Sequence, residues 1–363
     1  MNTVTRPARW LAVVALVMTS ALASIVASGM ARAHDRTLDM LVHAPADASA
    51  TVLTVDGTTW TAGARTPGSG DPVTGAEHFR IGSITKTFVA TVVLHLVDEH
   101  LVELDAPVEK YLPDVVRDGD RITVRQILQH TSGIPDYMKT PGWSTNRWRG
   151  DDRFRDYRPR QLLQQAFTRS PDFAPGAKFR YSNSNYIVAG LLIEAVTGRP
   201  YGTEIDRRIL RPLHLSGTSL PGSNPRLPEP AIHAAADIDG RRVDVTEQNE
   251  TLDWAAGEMI STQADLATFF DALLGGRLLS DKTLAEMRRT VPMGSGFHYG
   301  LGLERFDLPC GGQIWGHGGQ LLGYVTYAYR RDDGRGFTLL EVSGTDDGFL
   351  RFAAMATAAY CPR

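Results

Sequence analysis

The sequence predicts a mixed α/β (α+β) fold: an antiparallel sheet built from the two ends of the chain and flanked by helices, with a mostly helical lobe inserted between them. Three observations carry that prediction. Short alternating strands surround Asp56-Gly57 near the start, and the strand period returns beyond Gly296. The long middle reads in the helical period instead. Consecutive strands tend to lie side by side, so joining both ends in one sheet leaves the middle as a second lobe. The sheet lobe is expected to comprise residues 34–82 and 291–363, and the helical lobe residues 83–290. The chain has 363 residues, 42% apolar and 22% charged, which suffices for a substantial core. Its net charge of −3 gives no reason to expect a nucleic-acid partner.

Residues 1–33 stand apart. Arg6 and Arg9 precede an apolar run from Trp10 to about Val26, and Ala31-Arg32-Ala33 fits a small-x-small cleavage rule. That is the pattern of a secretory signal peptide, so the mature chain is expected to start at His34, secreted and without stable membrane insertion. An uncleaved anchor helix is the alternative. In an oxidising compartment Cys310 and Cys361, the only cysteines, are expected to pair rather than stay as buried thiols. Closing that loop would stabilise by roughly 4 kcal/mol in the chain-entropy model.

Ala50–Val55 and Thr58–Ala62 alternate around the Asp-Gly dipeptide of a type I′ hairpin. His78–Ile81 reads as a third extended piece. From Ser83, Ile84, Phe88, Val92 and Leu96 recur every four residues with Val89, Val93 and Val97 beside them, which predicts a largely buried helix. Thr123 can cap Val124–Gln129, and Thr131–Pro135 is a turn. Asp136 to Arg160 reads as an irregular, solvated loop in which arginines and aspartates interleave. Tyr186–Val196 is apolar nearly all round and stops at Gly198. Thr262 and Ser280 are candidate caps for two further helices. Tyr299–Glu304, Gln313–Gly316, Leu322–Arg330 and Phe337–Val342 read as strands, and residues 347–361 as a closing helix.

Chemistry enters at Gly82-Ser83-Ile84-Thr85-Lys86. Residues three apart share a helix face, so the Ser83 hydroxyl and the Lys86 amine can lie within hydrogen-bond reach. A serine needs an adjacent base to become a nucleophile, and desolvation lowers an ammonium pKa enough for lysine to serve. A capping serine beside a snorkelling lysine gives the same pattern. The rest of the chain decides between them. No Gly-x-Ser-x-Gly elbow occurs. The histidines are scattered with no His-Glu-x-x-His, so neither a metal nor a cofactor is expected.

After Ser83-x-x-Lys86 come Tyr181-Ser182-Asn183, behind Pro175-Gly176, and then Gly316-His317-Gly318-Gly319. These three motifs in this order resemble those of the penicillin-recognising serine hydrolases: class C β-lactamases, secreted D-alanyl-D-alanine carboxypeptidases and related esterases. The likeness also covers Asp105–Pro113, Leu128–Gly133, Ser261–Phe270 and Tyr299–Leu303, and it is closest to the secreted carboxypeptidase branch, including its cysteine pair. The resemblance implies a β-lactamase/transpeptidase-like fold with the site between two lobes. It implies Ser83 as nucleophile, Lys86 as base, and Tyr181 as proton relay once neighbouring cations lower its phenol pKa. The backbone N–H groups of Ser83 and Gln320 would form the oxyanion hole. Asn183, His317, Gly318 and Gly319 would hold the substrate, and Trp143 and Trp254 are either cleft aromatics or core.

Two positions depart from that branch. Its carboxypeptidases place an arginine on the strand before the third motif to hold the peptide's terminal carboxylate, and Glu304 occupies that position here. Arg305 is adjacent, but strand neighbours face opposite ways. Gly318 stands where threonine is usual. The leading expectation is a monomeric D-alanyl-D-alanine carboxypeptidase-like enzyme acting on a small peptide. A β-lactam or small ester on the same machinery is the alternative. A slowly deacylating penicillin-binding sensor is the non-enzymatic one.

Overall fold

The computed structural model describes residues 35–43, 48–343 and 348–361. The expected leader, residues 1–33, lies outside them. Among the described residues no helix is long and apolar enough to cross a membrane.

A helix over residues 35–43 (α1), which alternation near Ala50 gave no hint of, opens the described chain. β1 (Ala48–Val55) and β2 (Thr58–Gly63) then form the expected hairpin. Asp56 and Gly57 take φ of 50° and 81°, as a type I′ turn requires. β3 (Phe79–Arg80) leads directly to a single 3₁₀ turn, Gly82–Ile84, and then to α2 (Thr85–Asp98). The apolar positions of α2 are fully buried from Phe88 to Leu96, and Val97 at its end is partly buried.

The helical region continues with α3 (Val124–Leu128), α4 (Pro159–Ala166), α5 (Ser184–Thr197) and α6 (Tyr201–Ile205). Thr123 caps α3 in a reciprocal box with Gln126. Gly198, at φ 69°, ends α5. The loop from Asp136 to Arg158 contains two 3₁₀ turns, and its arginines stack on its own aromatics: Arg153 lies 4.8 Å from the Trp148 ring and Arg155 5.3 Å from that of Tyr157. Cation–π contact explains why the two residue types crowd together there. A small hairpin, β4 (Ala235–Ile238) and β5 (Arg241–Asp244), interrupts this mostly helical region. β6 (Ile260–Ser261) pairs with β3.

α7 (Gln263–Leu274) lies between α2, where Phe269 stacks on Phe88, and the sheet. Thr262 caps it as expected, and the helix packs on the sheet, where Arg330 pairs with Asp271 at 2.6 Å and Gln263 donates to the Val52 carbonyl at 3.1 Å. Its apolar side needed partners, and the sheet face and Phe88 of α2 supplied them. α8 (Asp281–Met287) follows, capped by Ser280.

The remaining strands are β7 (Val291–Gly294), β8 (Phe297–Tyr299), β9 (Glu304–Asp307), β10 (Gln313–Leu321), β11 (Tyr324–Arg331) and β12 (Gly336–Ser343). They join the N-terminal hairpin in one eight-stranded antiparallel sheet, ordered β2-β1-β12-β11-β10-β9-β8-β7. The expected single strand Tyr299–Glu304 is two strands with a turn between them, because Gly300 donates to the Leu303 carbonyl at 2.7 Å and Gly302 takes φ 71°. α9 (Gly348–Tyr360) closes the chain. It packs with α1 on one face of the sheet, where Leu38, Val42, Phe306, Phe337 and Phe352 form a core of their own. The main core lies between the other face and the helices. Cys310 and Cys361 are joined by a disulfide, which ties α9 to the turn before β10.

One close approach positions everything that follows. β9 stops pairing with β10 at Gly316, which leaves the later part of β10 open on that side. The Gly82–Ile84 turn fills the space. A Cβ on Gly319 would lie 2.0 Å from the Ile81 carbonyl oxygen, so only glycine lets the strand come this near. Replacing Gly319 by alanine is therefore expected to push β10 off the turn. Serine acylation should fall by about a hundredfold or more, while the far-UV circular dichroism spectrum stays that of the native fold; unchanged acylation would show that the close approach is dispensable.

Candidate active site

Ser83 sits in the 3₁₀ turn rather than at the start of the α-helix proper, and Lys86 follows one turn later in α2. The Lys86 amine is fully buried. It lies 3.0 Å from Ser83 Oγ, 2.8 Å from Asn183 Oδ1 and 2.6 Å from the Ala256 carbonyl oxygen. Burial draws its pKa from the ordinary 10.5 down to about 7, against the pull of the Asp253, Asp136 and Glu304 carboxylates.

The partners of that amine have consequences for its direction. A carbonyl can only accept, and Asn183 is held in one orientation because its Nδ2 donates to both oxygens of buried Asp136, at 3.2 and 3.4 Å. Asn183 therefore presents Oδ1 to Lys86. A neutral lysine has two N–H groups, and these two acceptors take them both. The remaining lone pair faces Ser83 Oγ, which is the arrangement a general base needs.

Tyr181 stands on the other side of Ser83 and hydrogen-bonds it, and the Lys86 amine lies 5.0 Å from its ring. The expectation of a phenol acidified by cations does not hold. Burial pushes Tyr181 well above its ordinary value, Ser83 lowers it, and the Glu304 and Asp136 carboxylates raise it further. The group with a lowered pKa is Lys86, and Tyr181 remains a neutral phenol able to donate.

β10 supplies the opposite wall. Alternate residues of a strand point their N–H groups the same way. The Gly318 N–H points to the open edge, where it donates to Glu304 Oε2 at 3.1 Å. The Gln320 N–H points that way too, and it lies 2.9 Å from where a Gly82 Cβ would be. It thus sits beside the Ser83 turn, in place to pair with the Ser83 N–H around a developing oxyanion.

His317 is buried, and burial lowers its pKa. Its Nδ1 faces the Gly318 carbonyl oxygen at 2.5 Å and its Nε2 the Tyr299 hydroxyl at 2.9 Å. The carbonyl must be an acceptor, so the proton is on Nδ1 and the tyrosine donates to Nε2. Glu304 also accepts from the Tyr329 hydroxyl. Arg305 faces away, paired with Asp307 and 6.0 Å from the Trp315 ring. The room that a threonine at position 318 would take is filled by Tyr327, whose Cε1 lies 3.0 Å from where a Gly318 Cβ would be.

Ser83, Tyr181, Asn183, His317, Gly318, Gly319 and Gln320 thus line one cleft, with Glu304 and Asp253. Trp143 and Trp254 do not line it. Trp143 packs 5.4 Å from Tyr157, and Trp254 4.6 Å from Tyr201 against Gly190 of α5, so both are partly buried aromatics packed against the core. Sequence reasoning passed over Asp136, Asp253 and His130. His130 is fully buried, takes φ 58° and lies 4.2 Å from the Tyr181 ring; its Nδ1 accepts from the Ser182 N–H at 3.2 Å, which fixes the motif's start. The one sequence signal for it and Asp136 was their place at either end of a turn-rich run.

A profile of the β-lactamases matches residues 37–359. The chain belongs to the β-lactamase family. It is a serine hydrolase by that membership and similar to several solved members. A D-stereospecific amidohydrolase from Streptomyces sp. shares 39% identity at a TM-score of 0.82, over 90% of this chain and 99% of that one. The D-amino acid amidase of Ochrobactrum anthropi SV3 shares 26% at 0.78, over 90% and 98%. Among curated relatives, penicillin-binding protein 4* of Bacillus subtilis is 27% identical across 74% of this chain. Putative penicillin-binding protein PbpX of the same organism is 29% identical across 62%. The chain spans only 61% and 52% of the lengths of these two relatives.

Two outcomes follow from the Lys86 geometry. The rate of Ser83 acylation should rise with pH as Lys86 loses its proton, with the acidic limb of kcat/KM near about 7. In Asp136→Asn the second amide lets Asn183 turn its NH₂ toward Lys86, so the plateau rate should drop on the order of tenfold or more. The same change removes a carboxylate that raises the Lys86 pKa, so the limb should move to lower pH. A pH–rate profile of both proteins checks this, and an Asp136→Asn limb that stays in place contradicts it.

Proposed function

We propose that this chain hydrolyses amides or esters of D-configured aminoacyl groups, through an acyl-enzyme on Ser83. Lys86 takes the Ser83 proton as Oγ attacks the carbonyl, and the oxyanion rests on the N–H groups of Ser83 and Gln320. Tyr181, as a neutral phenol, hands a proton to the leaving group, and water later releases the acyl group with the proton path reversed. Asn183 and the open edge of β10 hold the acyl part. The disulfide and the leader-like residues 1–33 support an exported enzyme.

The observation that carries the substrate reading is Glu304. A site for a C-terminal carboxylate needs positive charge, and this one has a carboxylate where the arginine would be, a glycine for the threonine and a neutral imidazole at His317. A leaving group without a carboxylate, as in an amide or ester, suits such a wall. The similarity to a D-stereospecific amidohydrolase over nearly the whole of both chains supports the D preference. A second reading, a D-alanyl-D-alanine carboxypeptidase, is favoured by the intact Tyr181-Ser-Asn motif and by the penicillin-binding relatives.

The test is a substrate panel on the mature protein and on Ser83→Ala: N-acetyl-D-phenylalanine amide and methyl ester, their L counterparts, and an acylated D-Ala-D-Ala peptide. The D amide and ester should be turned over at least about tenfold faster than either the L forms or the peptide. The covalent mass adduct should vanish in Ser83→Ala. Efficient release of D-alanine would return the carboxypeptidase reading, and an adduct that never turns over would favour a sensor.

A further inference from the structure

We propose that Glu304 forms a cation subsite on the leaving-group side of the cleft, which takes an amine leaving group carrying a second, protonated amine a few carbons beyond the scissile nitrogen. The inference rests on the amide-hydrolase reading and names its leaving group.

The Glu304 side chain is only 8% exposed, yet it has no cationic partner among the described residues. One of its oxygens, Oε2, is occupied by the Gly318 N–H and the Tyr329 hydroxyl. The other, Oε1, has only His317 Nδ1 nearby, at 3.7 Å, and that nitrogen already donates to the Gly318 carbonyl. Oε1 is thus left without a hydrogen-bond donor on a residue that lines the cleft. A nearly buried carboxylate oxygen gains most from a charge-assisted donor that reaches it. The cleft offers none of its own: its charged lining residues are Asp253 and Glu304, and no arginine or lysine lines it.

Position argues for the leaving group. Glu304 holds the Gly318 N–H, two residues along β10 from the Gln320 N–H that would bind the oxyanion. Two residues of strand span roughly 6.6 Å. An ammonium at Oε1 thus lies about as far from the reacting carbonyl as a short alkyl chain reaches. That chain would run past an apolar wall of Met293, Phe297, Tyr327 and Phe349, which suits methylene groups. In the hydrolysis itself the C–N bond breaks, the departing nitrogen receives one proton from Tyr181, and the distant ammonium keeps its own. The cation is a handle and takes no part in the chemistry.

The experiment uses simple acetyl amides as substrate analogues, whose minimal acyl group is shared, so that it reads the subsite whatever acyl group the enzyme prefers. N-(3-aminopropyl)acetamide and N-butylacetamide are compared as competitive inhibitors of chromogenic acetyl ester hydrolysis by the mature protein and by Glu304→Gln. The aminopropyl compound should bind at least about tenfold more tightly to the wild type, an advantage that shrinks as salt is raised. In Glu304→Gln the two should bind alike. Equal inhibition of the wild type, or an advantage that survives in Glu304→Gln, overturns the proposal. Should the variant fail to fold, the wild-type comparison and its salt dependence still decide. A further arm compares D-phenylalanine amide with its N-acetyl form: if Glu304→Gln abolishes a preference for the free α-amine, the cation belongs to the acyl side and the leaving-group assignment is wrong. Ester hydrolysis with no turnover of any D amide would refute the amide-hydrolase reading while leaving the inhibition comparison intact.

Discussion

Burying a lysine amine without a carboxylate in contact is the constraint on which this site depends. An ammonium in that position would ordinarily be too costly to keep, and the molecule meets the cost by letting the amine go neutral near pH 7. It then fixes both remaining N–H groups on acceptors, Asn183 Oδ1 and the Ala256 carbonyl. Asp136, Asp253 and Glu304 stand far enough off to moderate the shift without forming an ion pair with the amine. The chain must bring α2, α5 and the turn around Ala256 together to do this. The dense packing of those three elements, Gly190 against Trp254 included, follows from that requirement.

The sheet contributes precision rather than charge. β10 presents an open edge because its pairing with β9 stops at Gly316 and Glu304, and the Ser83 turn lies against that edge at a distance only glycines permit. The same arrangement that places the Gln320 N–H beside Ser83 also leaves the Gly318 N–H to Glu304, which lines the cleft. The Gln320 N–H comes from β10, while Glu304 and Tyr327 come from its neighbours β9 and β11. A change of substrate can come from Glu304, Gly318 and Tyr327 without disturbing Lys86.

Much of this was legible in the sequence, and the limits have physical causes. The hairpin at Asp56-Gly57 and the helices after Thr123 and Thr262 were readable because turn and cap chemistry is local. The Ser83–Lys86 spacing was readable for the same reason. The partnership of α7 with the sheet was not, since an apolar helix face does not say which surface will cover it. Trp143 and Trp254 show the converse: aromatics near a motif look like cleft residues until their packing against Tyr157 and Tyr201 is seen. Asp136 and His130 were hidden because their roles depend on contacts with Asn183 and Ser182, some fifty residues away in the chain. The cation-lowered Tyr181 failed because the sequence could not show how completely the phenol is buried, and burial pushes its pKa up, with Glu304 and Asp136 adding to the rise.

The account turns on the charge of a single amine, and that can be observed directly. With lysines isotopically labelled and Lys86→Arg used to assign the resonance, the side-chain carbon and proton shifts of Lys86 can be followed by NMR across a pH titration. A midpoint near about 7, well separated from the other lysines, is the predicted result. A midpoint near the ordinary lysine value of about 10.4 would mean that the buried amine stays charged, and the base assigned to it would have to be sought elsewhere.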